Sequence, residues 1–391
     1  MNTPLSYSTK LAPNPTRPLH YSVKGKLKSG ETIDLADPTA TRALIALMDM
    51  QAVLGGAASH FGGPSAFAEI MSALHGFVFY EAQKNKKQWY ESFHLLNDAG
   101  HCENGLYALK ANYGFADLSL DALKGFRSIK SQLTGHGESH LFPAAVYLSN
   151  GPLGSCIPQS QGLCFADHLA KREMVTVTTI SDGACMEGEA REALAAIPGL
   201  AASGKMNPYV LIISDNNTKL SGRIDKDAFS MTPTFESLKD LGWSYLKLEE
   251  GHNLQKCLEM VETAIEKARA NPKMPVVLHV KTIKGYGVAK TEQSSSGGHG
   301  FPLSDPKDLK AFIDEIYKNE KVPAEFYAWA DALVEEKAQK KSTGSKVIAE
   351  KVQLGISKAM IKKYKEGLPV VSISSDLAGS TGVAGFQKEI P

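Results

Sequence analysis

The chain has 391 residues and a mass of 42.1 kDa, long enough for more than one domain around a sizeable core. Its 43 basic residues against 42 acidic ones leave a formal charge of +1, so neither nucleic acid nor an anionic membrane is expected as the main partner. With 43% hydrophobic and 22% charged residues it reads as globular rather than disordered. No apolar run approaches a membrane span, and residues 1–20 lack the apolar core of a signal peptide. The five cysteines (Cys102, Cys156, Cys164, Cys185 and Cys257) are odd in number and form no Cys-x-x-Cys pair. That usage argues against a disulfide framework or a thiolate zinc site and for a reducing, cytoplasmic compartment. Cys102 and Cys185 fall in candidate ligand loops, where small buried packing is the expected role.

In chain order, residues 1–35 are rich in Pro and Ser and read as an irregular leader. Asp37-Pro38-Thr39 opens a helix, with Pro in its first turn. Alternating helical and strand patterns follow as far as a strand over 275–281 (PVVLHVK). This is the pattern of an α/β fold with a doubly wound, mostly parallel sheet, here assigned to residues 36–334. Two apolar, β-branched runs, 174–180 (MVTVTTI) and 209–213 (YVLII), read as buried parallel strands. A helical stretch over 187–202 makes them a strand–helix–strand crossover. Asn253 reads as the N-cap of a helix whose Leu254, Leu258, Val261 and Ile265 share a core face. The polar tract 335–346 (EEKAQKKSTGSK) reads as an interdomain linker. Residues 347–391 then resemble the start of a second α/β domain: a helix from about Val347, a strand over 369–374 (PVVSIS), and Asp376-Leu377-Ala378-Gly379-Ser380. One helix and one strand cannot bury a core, so a partner or further chain is expected to complete that domain.

The chemistry concentrates behind the two central strands. The first leads into Ile180-Ser181-Asp182-Gly183 and the second into Ser214-Asp215-Asn216-Asn217-Thr218. Parallel neighbours with such ends aim an Asp and an Asn into one crevice at the carboxyl edge, where open α/β sheets bind ligands. Both offer hard oxygens, which suit Mg²⁺ or Ca²⁺ rather than zinc. Mg²⁺ held by so few protein groups keeps positions open for phosphate oxygens. A metal-bridged diphosphate site is expected.

These words resemble the Gly-Asp-Gly and Asn-Asn signature of thiamine-diphosphate enzymes, with Ser181 in place of the first Gly. Gly151-Pro152-Leu153-Gly154, Asp182-Gly183-Ala184-Cys185-Met186-Glu187-Gly188, Lys281-Thr282-Ile283-Lys284-Gly285-Tyr286-Gly287 and His299-Gly300-Phe301-Pro302-Leu303 are similar to motifs of the transketolase family. They stand in that family's order, and the likeness runs from about Leu54 to the last residue. It implies a thiamine-diphosphate-binding domain and transfer of a two-carbon ketol unit from a ketose phosphate to an aldose phosphate. In this reading Asp182, Asn216 and the Thr218 carbonyl bind the metal, and Gly183 lies in the cofactor loop. Gly151, Pro152, Leu153 and Gly154 face the cofactor ring. Leu153 and Leu220 match positions that hold the cofactor bent, ordinary core packing being the other use of a leucine there. His60, His101, His136 and His299 match histidines that line the substrate channel, bind sugar hydroxyls and shuttle protons, His299 also standing at the cofactor, although the family's Pro after Gly135 is His136 here. Glu187 and Glu192 match carboxylates linking two active sites of a dimer, with a solvated helix face the alternative for Glu192. Asp376 and Ser380 match positions near the cofactor ring and the substrate phosphate. The family's catalytic Glu belongs to the second domain of a neighbouring subunit, so residues 1–391 alone are expected not to turn over substrate. Either a homodimer of a longer protein or a heteromer with a C-terminal subunit would supply it. The runner-up readings are an E1 α-type subunit of a 2-oxoacid dehydrogenase or another split ketolase, and a non-catalytic cofactor-binding module. Gly199-Leu200-Ala201-Ala202-Ser203-Gly204-Lys205 imitates a phosphate loop, but Met206 stands where Ser or Thr is needed and the segment follows a helix. An NTPase is rejected, and no Gly-x-Gly-x-x-Gly supports a dehydrogenase.

Overall fold

The computed structural model describes residues 10–219, 222–318, 320–342, 352–374 and 378–390. In chain order its strands and helices are β1 (Ser22–Lys26), β2 (Thr32–Ala36), α1 (Pro38–Leu54), α2 (Gly62–Lys84), β3 (Phe93–Asn97), α3 (Glu103–Asn112), α4 (Cys156–Leu169), β4 (Val175–Ser181), α5 (Gly188–Ala202), β5 (Tyr209–Asp215), α6 (Ile224–Asp227), α7 (Thr232–Ser237), β6 (Ser244–Leu248), α8 (Leu254–Ala270), β7 (Val276–Lys281), α9 (Ala289–Glu292), α10 (Leu309–Ile316), α11 (Ala324–Ser342), α12 (Val352–Lys365) and α13 (Ala384–Glu389).

The main sheet is five-stranded, in the order β3-β4-β5-β7-β6, and every pairing is parallel. Side chains alternate between its faces, as the strand period requires. On β5, Val210 and Ile212 join one core with residues of α1, α2, α3 and α8, while Tyr209, Leu211 and Ile213 join another with α4, α5 and α7. The sheet is therefore covered by helices on both sides, as a doubly wound fold requires.

Local signals place several boundaries. Asp37 caps α1, its Oδ1 accepting from Thr39 N at 2.8 Å, and Asn253 caps α8 by accepting from Lys256 N at 3.1 Å. Pro198 lies inside α5 and supplies no N–H for the Leu194 carbonyl. The indole of Trp243 donates to that carbonyl at 2.8 Å, so the helix continues without an orphaned acceptor.

Three expectations are corrected. The leader is not irregular throughout, because β1 and β2 pair antiparallel across a turn in which Gly30 takes φ +90°. Ile33 and Leu35 are buried, which gives this hairpin an apolar face to dock. The charged tract from 335 continues α11 as far as Ser342, because Glu, Lys, Ala and Gln are strong helix formers. Residues 369–374 form no strand, and Val371 and Ile373 are exposed; an isolated segment has no neighbouring ladder to pair with. Helices α12 and α13 pack together through Ser357, whose Oγ accepts from Phe386 N at 3.1 Å.

Candidate active site

Four neighbouring strand ends build the crevice. The residues just past β3, β4, β5 and β7 are Asp98, Asp182, Asn216 and Thr282. The ladder extends into them: Asp98 N donates to Thr179 O at 2.9 Å, Asp182 N to Ser214 O at 3.1 Å, and Thr282 N to Asp215 O at 2.9 Å.

Asp182 is fully buried, and its Oδ2 accepts from Asn216 N at 3.1 Å and Asn217 N at 2.5 Å. Its Oδ1 and the Oδ1 of Asn216 are buried with no hydrogen-bond partner among the described residues. Two such acceptors at the ends of paired strands are costly unless a cation or ligand satisfies them. The Thr218 carbonyl oxygen lies near the residue after Asp182, 3.7 Å from where a Cβ on Gly183 would stand. Asn217 makes the turn at φ 54°, a conformation Asn tolerates better than most residues. Among the described residues no cluster of three His, Cys, Asp or Glu side chains could hold a metal. A cation here would rest on one carboxylate, one amide oxygen and a backbone carbonyl, a donor set that suits Mg²⁺ or Ca²⁺ with ligand oxygens completing the shell. The protein residues therefore fit the metal.

Burial, and then the charge of Asp215, push the Asp182 carboxyl well above the usual range. A bound cation would reverse that shift. Burial also acts on Asp215, but hydrogen bonds from His279 Nε2 (2.6 Å) and Lys281 Nζ (2.5 Å) outweigh it and hold this carboxyl low.

The Gly151-Pro152-Leu153-Gly154 loop is pinned from below by Asp98, whose carboxylate accepts from Gly154 N at 2.9 Å and Cys156 N at 3.0 Å. Gly151 and Gly154 take φ +145° and +85°. A Cβ on Gly154 would meet Glu187 Cβ at 2.8 Å, so this close approach needs glycine. Pro152 and Leu153 are exposed, with Leu153 at 38% and open to a ligand.

Three of the four expected histidines meet in space. Ring centroids lie 4.9 Å apart for His60 and His299, 5.3 Å for His101 and His299, and 5.7 Å for His60 and His101. Their loops are strapped together by Gly62 N donating to Gly298 O at 2.8 Å and Phe301 N donating to Ser59 O at 3.0 Å. His136 adjoins them, its Cδ2 2.8 Å from where a Cβ on Gly100 would stand. Burial, with the nearby cations, lowers His60 to about 4 and His299 to about 3, and holds His101 well below its usual value. Burial and Arg127 lower His136 too. His299 Nδ1 is buried and has no partner among the described residues. The cluster is thus a set of neutral imidazoles.

Glu187 is the exposed N-cap of α5, beside Gly154, and Glu192 lines an open groove between α4 and α5. Ser380 is exposed, apart from this cluster in sequence and fold element. Leu220 and Asp376 lie outside the described residues. All five cysteines are buried free thiols, as packing residues should be.

Sequence reasoning gave no role to Asp98, Asp49, Asn104, Arg127 or Lys284. Buried Asp49 accepts from Ser59 Oγ and from Asn104 Nδ2 (2.9 Å), and Asn104 Nδ2 also donates to the His60 carbonyl at 2.8 Å, fixing the His60 loop. Arg127 packs on Gly135, 2.7 Å from a Cβ position there. Only Lys284 stood inside a recognised word.

A buried carboxylate and amide at the carboxyl edge of a parallel sheet, on a chain that also brings three histidines together, are the features of a phosphate-binding α/β domain. Residues 39–367 match the family described as transketolase, thiamine diphosphate binding domain, and the chain belongs to the transketolase family. It is similar to transketolase of Bacillus subtilis, with 29% identity over 381 residues covering 89% of this chain and 54% of that one. With transketolase of Geobacillus stearothermophilus the identity is 31% over 314 residues, covering 76% and 44%. The fold resembles that of a Pichia stipitis transketolase variant in complex with xylulose-5-phosphate (TM-score 0.59, 23% identity, covering 84% and 47%). It also resembles transketolase from Leishmania mexicana (TM-score 0.58, 22% identity, covering 86% and 48%). The chain spans about half the length of the curated relatives it matches.

Proposed function

We propose that this chain supplies the diphosphate-binding half of a transketolase, moving a two-carbon ketol unit from a ketose phosphate to an aldose phosphate. The observation that carries the reading is the pair of acceptors, Asp182 Oδ1 and Asn216 Oδ1, left buried without a hydrogen-bond partner among the described residues at neighbouring strand ends. With the Thr218 carbonyl they would hold Mg²⁺ or Ca²⁺, which anchors the diphosphate. Bound thiamine diphosphate supplies the electron sink for cleaving a carbon–carbon bond next to a carbonyl.

The chain's own residues bind, orient and carry protons. Asp98 fixes the Gly151–Gly154 backbone where the ring would lie, and exposed Leu153 offers an apolar prop. A neutral imidazole has one N–H donor and one bare acceptor nitrogen, so His60, His101 and His299 can hold a sugar hydroxyl and also move its proton. The Nδ1 of His299, which has no hydrogen-bond partner among the described residues, is ready for such a contact. His136 and Arg127 lie beside this cluster and would meet the substrate next. Glu187 and Glu192, both exposed, suit contact with a second subunit, in a homodimer or a heteromer. Five reduced thiols suit a cytoplasmic setting. Among the described residues no helix is long and apolar enough to cross a membrane.

Calorimetric titration of thiamine diphosphate with and without Mg²⁺ tests the site. Binding should require the metal and should disappear in Asp182→Ala; equal affinity in that variant would sink the metal assignment. Ketol transfer from xylulose-5-phosphate to an aldose phosphate by the native assembly tests the activity. An assembly that binds cofactor but transfers nothing is a cofactor-binding module instead.

A further inference from the structure

Arg223 stands between the turn of the metal-binding pair and the loop that carries His299. Thr218 and Arg223 pair as an antiparallel bridge. Beside it, Ile224 N and Asp225 N donate to the carbonyl and side-chain oxygens of Asn217, both at 3.1 Å. The half-buried Arg223 side chain then reaches in two directions. Its Nη1 donates to the Thr218 hydroxyl at 2.8 Å, and that hydroxyl donates to the Asn216 carbonyl at 3.0 Å. Its Nη2 donates to the carbonyls of Glu292 (3.0 Å) and Ser294 (2.9 Å), at the end of α9. A cationic side chain suits that end of a helix, where the last carbonyls lack intrahelical partners. The path continues from there to the histidine. Ser294 Oγ accepts from Gly298 N at 2.8 Å, and a Cβ on Gly298 would meet Thr291 Cγ2 at 2.6 Å. The residues just before His299 therefore close tightly on α9.

One planar guanidinium thus joins two segments that lie far apart in the chain. Its fork holds them at a fixed separation, which the single point charge of a lysine does not. The Asn216 side chain and the Thr218 carbonyl are the atoms a cation would draw on. An ion that fixes this turn also fixes the arginine hydrogen-bonded to it. We propose that Arg223 is a positioning residue that couples the metal and diphosphate site to the His299 loop, so that filling the one sets the other. This rests on the thiamine-diphosphate reading above. Such coupling is reciprocal: the order that the ligands impose on the loop returns as affinity for the ligands.

The test is hydrogen exchange in the native assembly, read by mass spectrometry over residues 289–299 with and without saturating Mg²⁺ and thiamine diphosphate. The proteins are the unaltered one, Arg223→Met and Arg223→Lys. Ligands should slow exchange in this segment about ten-fold in the unaltered protein, and less than about two-fold in Arg223→Met. Arg223→Lys should resemble Arg223→Met, because it keeps the charge and loses the fork. Calorimetric titration of thiamine diphosphate should show affinity about ten-fold weaker in both variants. Ligand protection as strong in Arg223→Met as in the unaltered protein overturns the proposal, even where exchange is faster throughout, because a merely structural strap acts equally with and without ligand. Full recovery in Arg223→Lys overturns it too, since charge alone would then suffice. If Arg223→Met does not fold, Arg223→Gln makes the same comparison. An unaltered assembly that binds no thiamine diphosphate overturns the cofactor reading and the coupling with it.

Discussion

Replacing Asp98 with Ala probes the anchor under the Gly151–Gly154 loop. The change orphans two buried amides, Gly154 N and Cys156 N, and each such loss costs about 1–3 kcal/mol. An opposing effect is built into the same residue. Burial raises the Asp98 carboxyl from 3.8 to about 6, although the two amides pull it down. The folded protein therefore holds this proton more tightly than the unfolded chain does. Its contribution to stability is fully present below the unfolded value and is lost as pH rises through about 6. Between pH 4.5 and pH 7.5 the loss amounts to about 2 kcal/mol, and the Ala variant has no such group to lose it from. Asp98→Ala should thus destabilise by about 2–6 kcal/mol at pH 4.5, and by about 2 kcal/mol less at pH 7.5. Urea unfolding of both proteins at the two pH values measures the difference. A penalty that is constant with pH, or that grows as pH rises, would refute the reasoning.

Two further outcomes follow from the site. Because burial lowers His60 to about 4 and His299 to about 3, neither ring should titrate between pH 5 and pH 8. NMR of labelled imidazoles would show flat shifts there, and a midpoint above pH 6 for either ring would contradict the neutral cluster. Gly62→Ala would put a Cβ 2.0 Å from the Gly297 carbonyl oxygen and 2.8 Å from that of Gly298. These are backbone atoms, with no flexible side chain to yield, so a loss of about 3 kcal/mol or more is expected. An unchanged unfolding temperature would mean that the His60 and His299 loops are not strapped together.

What the sequence determined by itself was local or repetitive. Continuous apolar, β-branched runs announced β4, β5 and β7, because strands buried on both faces need no polar alternation. Asp37 and Asn253 announced their helices because a cap acts within three residues. Asp182 and Asn216 were legible because each directly follows a recognisable strand. The hairpin of β1 and β2 escaped notice, since five-residue strands carrying Lys, Gly and Asp acquire a buried face only when docked. The strand read into 369–374 failed for the converse reason: its pattern is suitable, but no neighbour among the described residues pairs with it.

Tertiary structure alone decided how the site works. Asp98 and Gly154, Asp49 and Asn104, and His60 and His299 are far apart in the chain, and no spacing rule connects them. A depressed histidine pKa is likewise not a property of histidine, because burial and neighbouring cations produce it. Lys284 was visible as a letter in a motif, but its charge reaches Asp182 and the histidines only after β5 and β7 pair and Gly297 closes over its stem. Ladder pairing, desolvation and charge proximity depend on distances in space, and folding sets those distances.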